Sequence, residues 1–452
     1  MIAGYDPARL AGLHQRERAD FRDRHPRSAA LAAAAARHLL AGVPMPWMRR
    51  WPGDFPLFVA DAAQGMVRDV DGHDYVDLCL GDTGAMGGHA VPAVTATIAD
   101  RAGRGATAML PTADAAWVAA ELARRFGLPM WQFALSATDA NRFALRIARL
   151  ATARRRIVVF DFCYHGTVDE TLVTLDAGGR VVARDGAIGV PVDPALTTAV
   201  VPFNDIAALE RALAAGDIAC VLAEPALTNI GVVLPEPGFH DALRRLTRET
   251  GTLLILDETH TICAGPGGCT GADGLSPDLL VVGKPIGGGV PAAAYGLSAT
   301  VADIVGARFA EPSIDVSGIG GTLAGNALSV AAMRAALSTT LREEDFATAI
   351  PLAERFTAGA AAVIAAHGLS WHVQRLGCRA EYWFCPPPRD GAAAATAGDA
   401  GLEAYLHLYA LNRGMLLTPF HNMALFTPYH SPSDADRHSE IFDAALTELF
   451  GP

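Results

Sequence analysis

The sequence predicts an α/β protein built on a largely parallel sheet, on three observations. From about Leu122 to Tyr295, helical and strand-like patterns alternate, as they do where helices connect parallel strands. The strand candidates are short apolar runs, among them Leu253-Leu254-Ile255-Leu256 and Leu279-Leu280-Val281-Val282. With 452 residues, 51% hydrophobic and 19% charged, the chain can bury large cores in two or more lobes, since single cores stop growing beyond about 250–300 residues.

Residues 1–60 are expected to form a helical and irregular N-terminal segment. Ser28 to Leu40 is alanine-rich, and alanine is the best helix former. Val43 to Pro52 holds prolines that force an extended or turning path, beside two tryptophans and the pair Arg49-Arg50. A large domain is expected over 61–325, starting with a small β-hairpin. Gly65–Val70 and His73–Leu80 are strand-like around the turn Asp71-Gly72. Strands follow at Arg156–Phe160, Ala199–Pro202, Ile218–Ala223, Thr252–Leu256 and Leu279–Val282, with helices at Ala137–Ala153, Ile206–Ala215 and Gly238–Thr250. The helical run Ala327–Leu337 leads into a C-terminal small domain over 326–452, which carries a Pro- and Ala-rich, mobile loop from Pro386 to Gly401.

Composition excludes several classes. Lys plus Arg number 36 and Asp plus Glu 48, a net charge of −12 with no basic block, so nucleic acid is not an expected partner. Seven scattered cysteines with no CxxC read as reduced thiols. Met1 to Asp6 lacks the basic start of a signal peptide, and no apolar stretch reaches the roughly 20 residues of a membrane helix. A cytoplasmic protein is expected, with no membrane partner. His260 belongs to no HExxH, and no GxGxxG follows the first strand, so neither a metal nor a dinucleotide is expected.

The chemistry lies in the charged residues that end two apolar runs, Asp257-Glu258 and Lys284. Ionised groups are costly in a dry core unless paired or used, and ligands of α/β sheets bind at the carboxyl ends of the strands. A lysine able to form a Schiff base and an aspartate able to hold a pyridinium nitrogen suit a pyridoxal phosphate site. Each residue alone also fits a plainer role: a surface lysine before a glycine turn, an aspartate capping a helix. Ser136-Ala137-Thr138-Asp139 opens a helix with an apolar stripe at Ala140, Phe143, Ala144, Ile147, Ala148 and Ala151, so it is an anion cradle or an ordinary N-cap. Tyr164-His165-Gly166 follows a strand and offers an aromatic to stack on a planar cofactor or on the sheet edge. Glu224-Pro225 and Asn229 follow another.

In chain order the motifs run Ser-x-Thr at 136–138, Tyr-His-Gly at 164–166, Glu-Pro at 224–225, Asp-Glu at 257–258, Gly-Lys with three glycines at 283–289, and Gly-Thr-x-x-Gly-Asn at 321–326. This order resembles the class III aminotransferases of the fold-type I pyridoxal phosphate enzymes, within them the glutamate-1-semialdehyde aminomutase branch and its β-amino-acid aminotransferase relatives. The resemblance runs from about Pro56 onward and is densest in Val221–Gly231, Leu254–Gly268 and Pro277–Gly296. It implies a mostly parallel seven-stranded sheet, and a small α+β domain formed by the N- and C-terminal segments. It makes Lys284 the Schiff-base lysine and Asp257 the partner of the pyridinium nitrogen. Ser136, Ala137 and Thr138 hold the phosphate, and Tyr164 stacks on the ring. His165, Glu224, Asn229, Thr259 and His260 complete the cofactor site. Thr322 reaches the cofactor phosphate of a neighbouring subunit, which implies a homodimer. Two departures stand out: Ser-Ala-Thr-Asp replaces Ser-Gly-Thr-Glu, and Thr-His-Thr-Ile-Cys-Ala-Gly follows Asp-Glu where Val-x-Thr-Gly-Phe-Arg is commoner.

The function expected is a class III aminotransferase moving an amino group from an amine or amino acid, β-amino acids included, to a keto acid. An aminomutase, which returns the group to a neighbouring carbon of the same molecule, is the alternative. A catalytically silent binding protein is a third. A substrate carboxylate calls for a guanidinium fork, with Arg49, Arg50, Arg379 and Arg413 as candidates and Arg49 or Arg50 preferred. His421 and Asn422 are candidates for the site entrance.

Overall fold

The strands of the main sheet stand in the order Met130–Ala134, Ala293–Leu297, Leu279–Val282, Leu253–Asp257, Ile218–Ala223, Arg156–Phe160 and Thr198–Val201. In this computed structural model, which describes residues 4–311, 313, 315 and 317–451, six of the seven are parallel and Ala293–Leu297 runs against them. Ile218–Ala223 and Leu279–Val282 are buried along their whole length. Coverage on both faces is why these strands read as unbroken apolar runs. The helix Ala137–Thr152 packs on the central strands through the expected stripe of Ala140, Phe143, Ala144, Ile147 and Ala148. Leu253–Asp257 lies one residue further along than expected, so Asp257 itself ends the strand. This sheet belongs to a compact unit made of Pro92–Glu343 with Pro388–Ala395. The stretch expected to be a mobile loop contains the short helix Gly391–Ala395, where a Cβ on Gly391 would lie 2.6 Å from Phe162 Cβ.

The other unit joins Met1–Val91, Glu344–Pro387 and Thr396–Pro452. Here the hairpin of Met66–Asp69 and Asp74–Asp77 forms, with Val59–Ala63 on one side and Met415–Leu416 pairing in parallel on the other. That pairing draws residues up to 91 into this unit, away from the large domain to which the sequence assigned the hairpin. A second sheet holds His372–Leu376, Arg379–Trp383 and Met423–Leu425. The helix Pro7–Arg24 packs on Ala400–Asn412, and Phe21, Val67, Tyr75, Leu408, Leu411 and Leu416 form one core cluster. The alanine-rich helix spans Pro26–Ala35, earlier than expected because Pro26 can occupy its first turn. Pro46–Arg50, expected to be irregular, forms a short 3-10 turn that also starts on a proline.

One helix meets the length and composition of a membrane span. Glu343–Ala366 has 24 residues and a mean hydropathy of 1.3 over its most apolar window. Its buried residues Phe346, Ala349, Leu352, Ala353, Phe356, Ala360 and Ile364 follow helical spacing, the one-sided stripe of a core helix. All seven cysteines are free thiols.

Candidate active site

Asp257 closes its strand, and its partner in the adjacent parallel strand is Val281, three residues before Lys284. The topology thus delivers a carboxylate and an amine to neighbouring strand ends. Lys284 opens the turn Lys284–Gly287 with φ of 50°, a left-handed conformation that costs a residue with a Cβ about 1–2 kcal/mol. Such strain persists only where surrounding structure enforces it. A Cβ on Gly283 would stand 3.0 Å from Ala137 Cβ, so the chain before the lysine lies against the first residue of the helix Ala137–Thr152.

That helix start is organised from within. Ser136 Oγ accepts the Asp139 N–H at 3.2 Å and donates to the Asp139 carboxylate at 2.9 Å. Thr138 Oγ1 accepts the Thr167 N–H at 3.1 Å. Gly166, at φ of +78°, passes so close that a Cβ there would overlap Thr138 Oγ1. Tyr164 and His165 are therefore held beside the helix N-terminus.

Asp257 is buried and accepts three donors. Asn141 Nδ2 donates to Oδ2 at 2.8 Å, His165 Nδ1 to the same oxygen at 2.9 Å, and the Thr259 N–H to Oδ1 at 3.0 Å. Burial pushes the carboxyl pKa up, but the His165 charge and these hydrogen bonds outweigh it and hold it below the ordinary aspartate range. Burial opposes charge on His165 too. Cys163 and Asp257 nevertheless push that imidazole up to about 10. The result is a carboxylate kept ionised at a strand end. Asn141, which also donates to the His165 carbonyl at 3.2 Å, was missed by sequence reasoning. The available signal was a polar residue one turn into an apolar helix, fully buried here.

Glu224 Oε1 accepts the Tyr164 N–H at 3.3 Å, and the Thr228 hydroxyl donates to Oε2. Asn229 Nδ2 donates to the Phe162 carbonyl at 3.2 Å. Both side chains brace the backbone that carries Tyr164. Burial raises the Glu224 carboxyl above its ordinary value, with His165 opposing. Glu258, also buried, accepts the Cys269 N–H at 3.1 Å and the Thr270 hydroxyl at 2.6 Å, so it anchors the following turn. Lys284 Nζ donates to His260 Nε2 at 2.7 Å. Thr322 is exposed in the turn before the helix Ala327–Thr339.

These residues fit pyridoxal phosphate. They bring together one lysine amine, one ionised carboxylate and a helix N-terminus. Two buried polar atoms beside Asp257, Thr259 Oγ1 and Asn141 Oδ1, lack a hydrogen-bond partner among the described residues.

The substrate-recognition candidates belong to the other unit. Arg49 and Arg50 are exposed, and Arg50 lines a cavity of ≈ 330 Å³ with His14, Trp51, Glu403, His407 and Phe420. Burial and nearby Glu381 push Glu403 up to about 7. His421 Nδ1 donates to Glu381 Oε1 at 3.0 Å, and the fully buried Arg379 pairs with Glu381 at 3.2 Å. Asn422 Oδ1 meets His407 Nε2 at 3.1 Å. Arg413 pairs with Glu17 at 3.0 Å and stacks 3.2 Å over the Tyr409 ring, a structural staple.

A family model described as Aminotransferase class-III matches residues 47–367. Among solved structures, a glutamate-1-semialdehyde-aminomutase from Pseudomonas aeruginosa PAO1 is 50% identical with a TM-score of 0.97, covering 99% of this chain and 100% of that one. A lysine-to-alanine variant of that enzyme was solved in complex with PMP. Glutamate-1-semialdehyde 2,1-aminomutase of Sorangium cellulosum is 38% identical over 424 residues, 92% of this chain and 95% of that protein. A β-phenylalanine aminotransferase from Variovorax paradoxus is 27% identical with a TM-score of 0.85, covering 97% and 96% of the two chains. The expectation of amino transfer to a second molecule is overturned by these likenesses, whose higher identities, up to 50% over nearly the full length, are to aminomutases. The chain belongs to the class-III aminotransferase family, within the fold-type I pyridoxal phosphate enzymes.

Proposed function

We propose that the chain is an aminomutase of the glutamate-1-semialdehyde type, returning an amino group to the neighbouring carbon of the molecule it came from. The observation that carries this is the 50% identity, over 99% of the chain, to the P. aeruginosa aminomutase. Bound pyridoxal 5′-phosphate supplies an electron sink that lets a proton leave the amino-bearing carbon. The rest is the work of this chain. Lys284 would hold the cofactor through Nζ, and its free amine would take and return the proton at that atom. Asp257, held ionised by Asn141, His165 and Thr259, accepts a hydrogen bond from a protonated ring nitrogen. Ser136, Ala137 and Thr138 bind the phosphate at the positive end of their helix. Tyr164, whose backbone Glu224 and Asn229 brace, would pack against the ring. Thr322 serves the phosphate of a second copy, so the working form is a homodimer, placed in the cytoplasm.

Glutamate-1-semialdehyde carries a carboxylate. We assign its recognition to Arg49 or Arg50, because Arg379 and Arg413 are already engaged with Glu381 and Glu17. His421 is assigned to the substrate as well.

An isomerisation needs no second substrate, and that supplies the test. Incubated with glutamate-1-semialdehyde and no keto acid, the holoenzyme is expected to give the isomeric amino ketone with unchanged mass. Lys284→Ala should abolish turnover, and borohydride should fix the cofactor on Lys284 of the wild type. Conversion that begins only when pyruvate or 2-oxoglutarate is added would overturn the proposal.

A further inference from the structure

The imidazole of His260 stands within hydrogen-bond distance of Lys284 Nζ, at 2.7 Å. The loop that presents this ring is fixed on both sides. Before it, the Thr259 N–H is bound to Asp257 Oδ1 at 3.0 Å. After it, the Thr261 hydroxyl is bound to Glu258 at 2.5 Å, and Glu258 in turn holds the backbone of Cys269 at 3.1 Å. Thr259, Thr261 and Glu258 are all buried, whereas His260 is partly open and turned to the lysine. The lysine is fixed from its own side as well, by a left-handed backbone at φ of 50° that aims the side chain. Two constrained backbones thus converge on one hydrogen bond.

We infer that His260 is a positioning residue for Lys284: it holds the free Nζ at the reaction site. The inference rests on the reading of Lys284 as the cofactor lysine. A lysine side chain carries about 2 kcal/mol of rotamer entropy, so an untethered amine spends most of its time out of reach of the reacting atoms. The requirement is sharper for an aminomutase than for a lysine that only anchors a cofactor. Between release and recapture, Nζ must serve two neighbouring carbons of one bound molecule, and small misplacements at that stage cost rate steeply. A neutral imidazole whose Nε2 accepts from Nζ leaves the amine's lone pair free, and it stabilises the ammonium once Nζ has taken a proton. No atom is gained or lost, since the proton taken at Nζ returns to substrate or cofactor.

The contact can be tested without turnover. The full-length chain, cleared of cofactor, is mixed with pyridoxal lacking the phosphate. Adduct formation is trapped by borohydride over time and located by peptide mass spectrometry. His260→Phe, which keeps an aromatic ring but accepts no hydrogen bond, should slow adduct formation on Lys284 by about five- to tenfold, the effect of one lost hydrogen bond. His260→Gln, whose amide oxygen can accept from Nζ, should stay within about twofold of wild type. In the holoenzyme, His260→Phe should lower kcat while KM holds, and His260→Gln should rescue it. The circular dichroism of both variants is expected to match the wild type. A wild-type trapping rate in His260→Phe overturns the inference, as does a loss in His260→Gln equal to that in His260→Phe. A wild-type chain that forms no adduct on Lys284 is a separate outcome, and it removes Lys284 from the proposed mechanism itself.

Discussion

Asp257 and His165 share one proton economy, and their opposite shifts fix how stability depends on pH. The imidazole rises from 6.5 to about 10, so its contribution is whole below about 6.5 and is lost as pH climbs through 10. The carboxyl falls below its ordinary 3.8, so its contribution is whole above about 4 and is lost as pH drops through the lowered value. Together they favour the fold most between about pH 4 and 6.5. His165→Gln removes the alkaline limb. Its thermal midpoint, measured on the cofactor-free chain, should lie well below wild type at pH 6, with the gap narrowing toward pH 10. A gap that stays constant with pH would mean that the ring is uncharged in the fold. At this scale the sequence showed the chemistry but not its support. Lys284 and Asp257 announced themselves because charge at the end of an apolar run is rare. Asn141 did not, since its partner lies 116 residues away and only the fold brings it close.

At the scale of elements, the joint between the Tyr164–Gly166 turn and the helix Ala137–Thr152 carries a prediction. Gly166 has φ of +78°, and a Cβ there would overlap Thr138 Oγ1 and sit 3.0 Å from the Thr138 backbone. Gly179 has nearly the same φ, +74°, with nothing within 4 Å. Gly179→Ala therefore reports backbone strain alone, about 1 kcal/mol. Gly166→Ala adds a clash, for a total of about 2–4 kcal/mol, and moves Thr138 out of place. Cofactor affinity should fall about tenfold in Gly166→Ala and stay put in Gly179→Ala, read by absorbance titration. Equal losses in the two variants would show that the packing against Thr138 does not shape the cup. The strands around this joint were legible because burial on both faces makes them apolar throughout. Met130–Ala134 and Ala293–Leu297 were not. The first carries the exposed Gln132, and the second holds Gly296, where strands are usually disfavoured. The glycine is there because the Trp131 ring lies 2.7 Å from where its Cβ would be, a cross-strand fact with no local trace.

For the whole molecule, the division into units followed from pairings too distant for a linear reading. Asp74–Asp77 reads in sequence as the start of a large domain, whereas in the fold Met415–Leu416 pairs beside it. Assembly poses the same problem one level up, because a single chain cannot display what a second copy contributes. Thr322 is exposed beside the half-exposed Leu323, and Met109 and Leu110 are 75% and 73% exposed in the same unit. If each cofactor phosphate takes Thr322 from the other chain, two defective variants should repair one another. Lys284→Ala chains lack the lysine but supply an intact Thr322, and Thr322→Ala chains do the reverse. In a mixed dimer both lesions fall in one site and the second site is whole. Unfolding and refolding the two together in equal amounts makes half of the dimers mixed, so about a quarter of wild-type activity should return. Refolded alone, Lys284→Ala should stay inactive and Thr322→Ala strongly impaired. If Thr322 instead serves its own chain, no site in the mixture is complete, and activity will not rise above the average of the two variants.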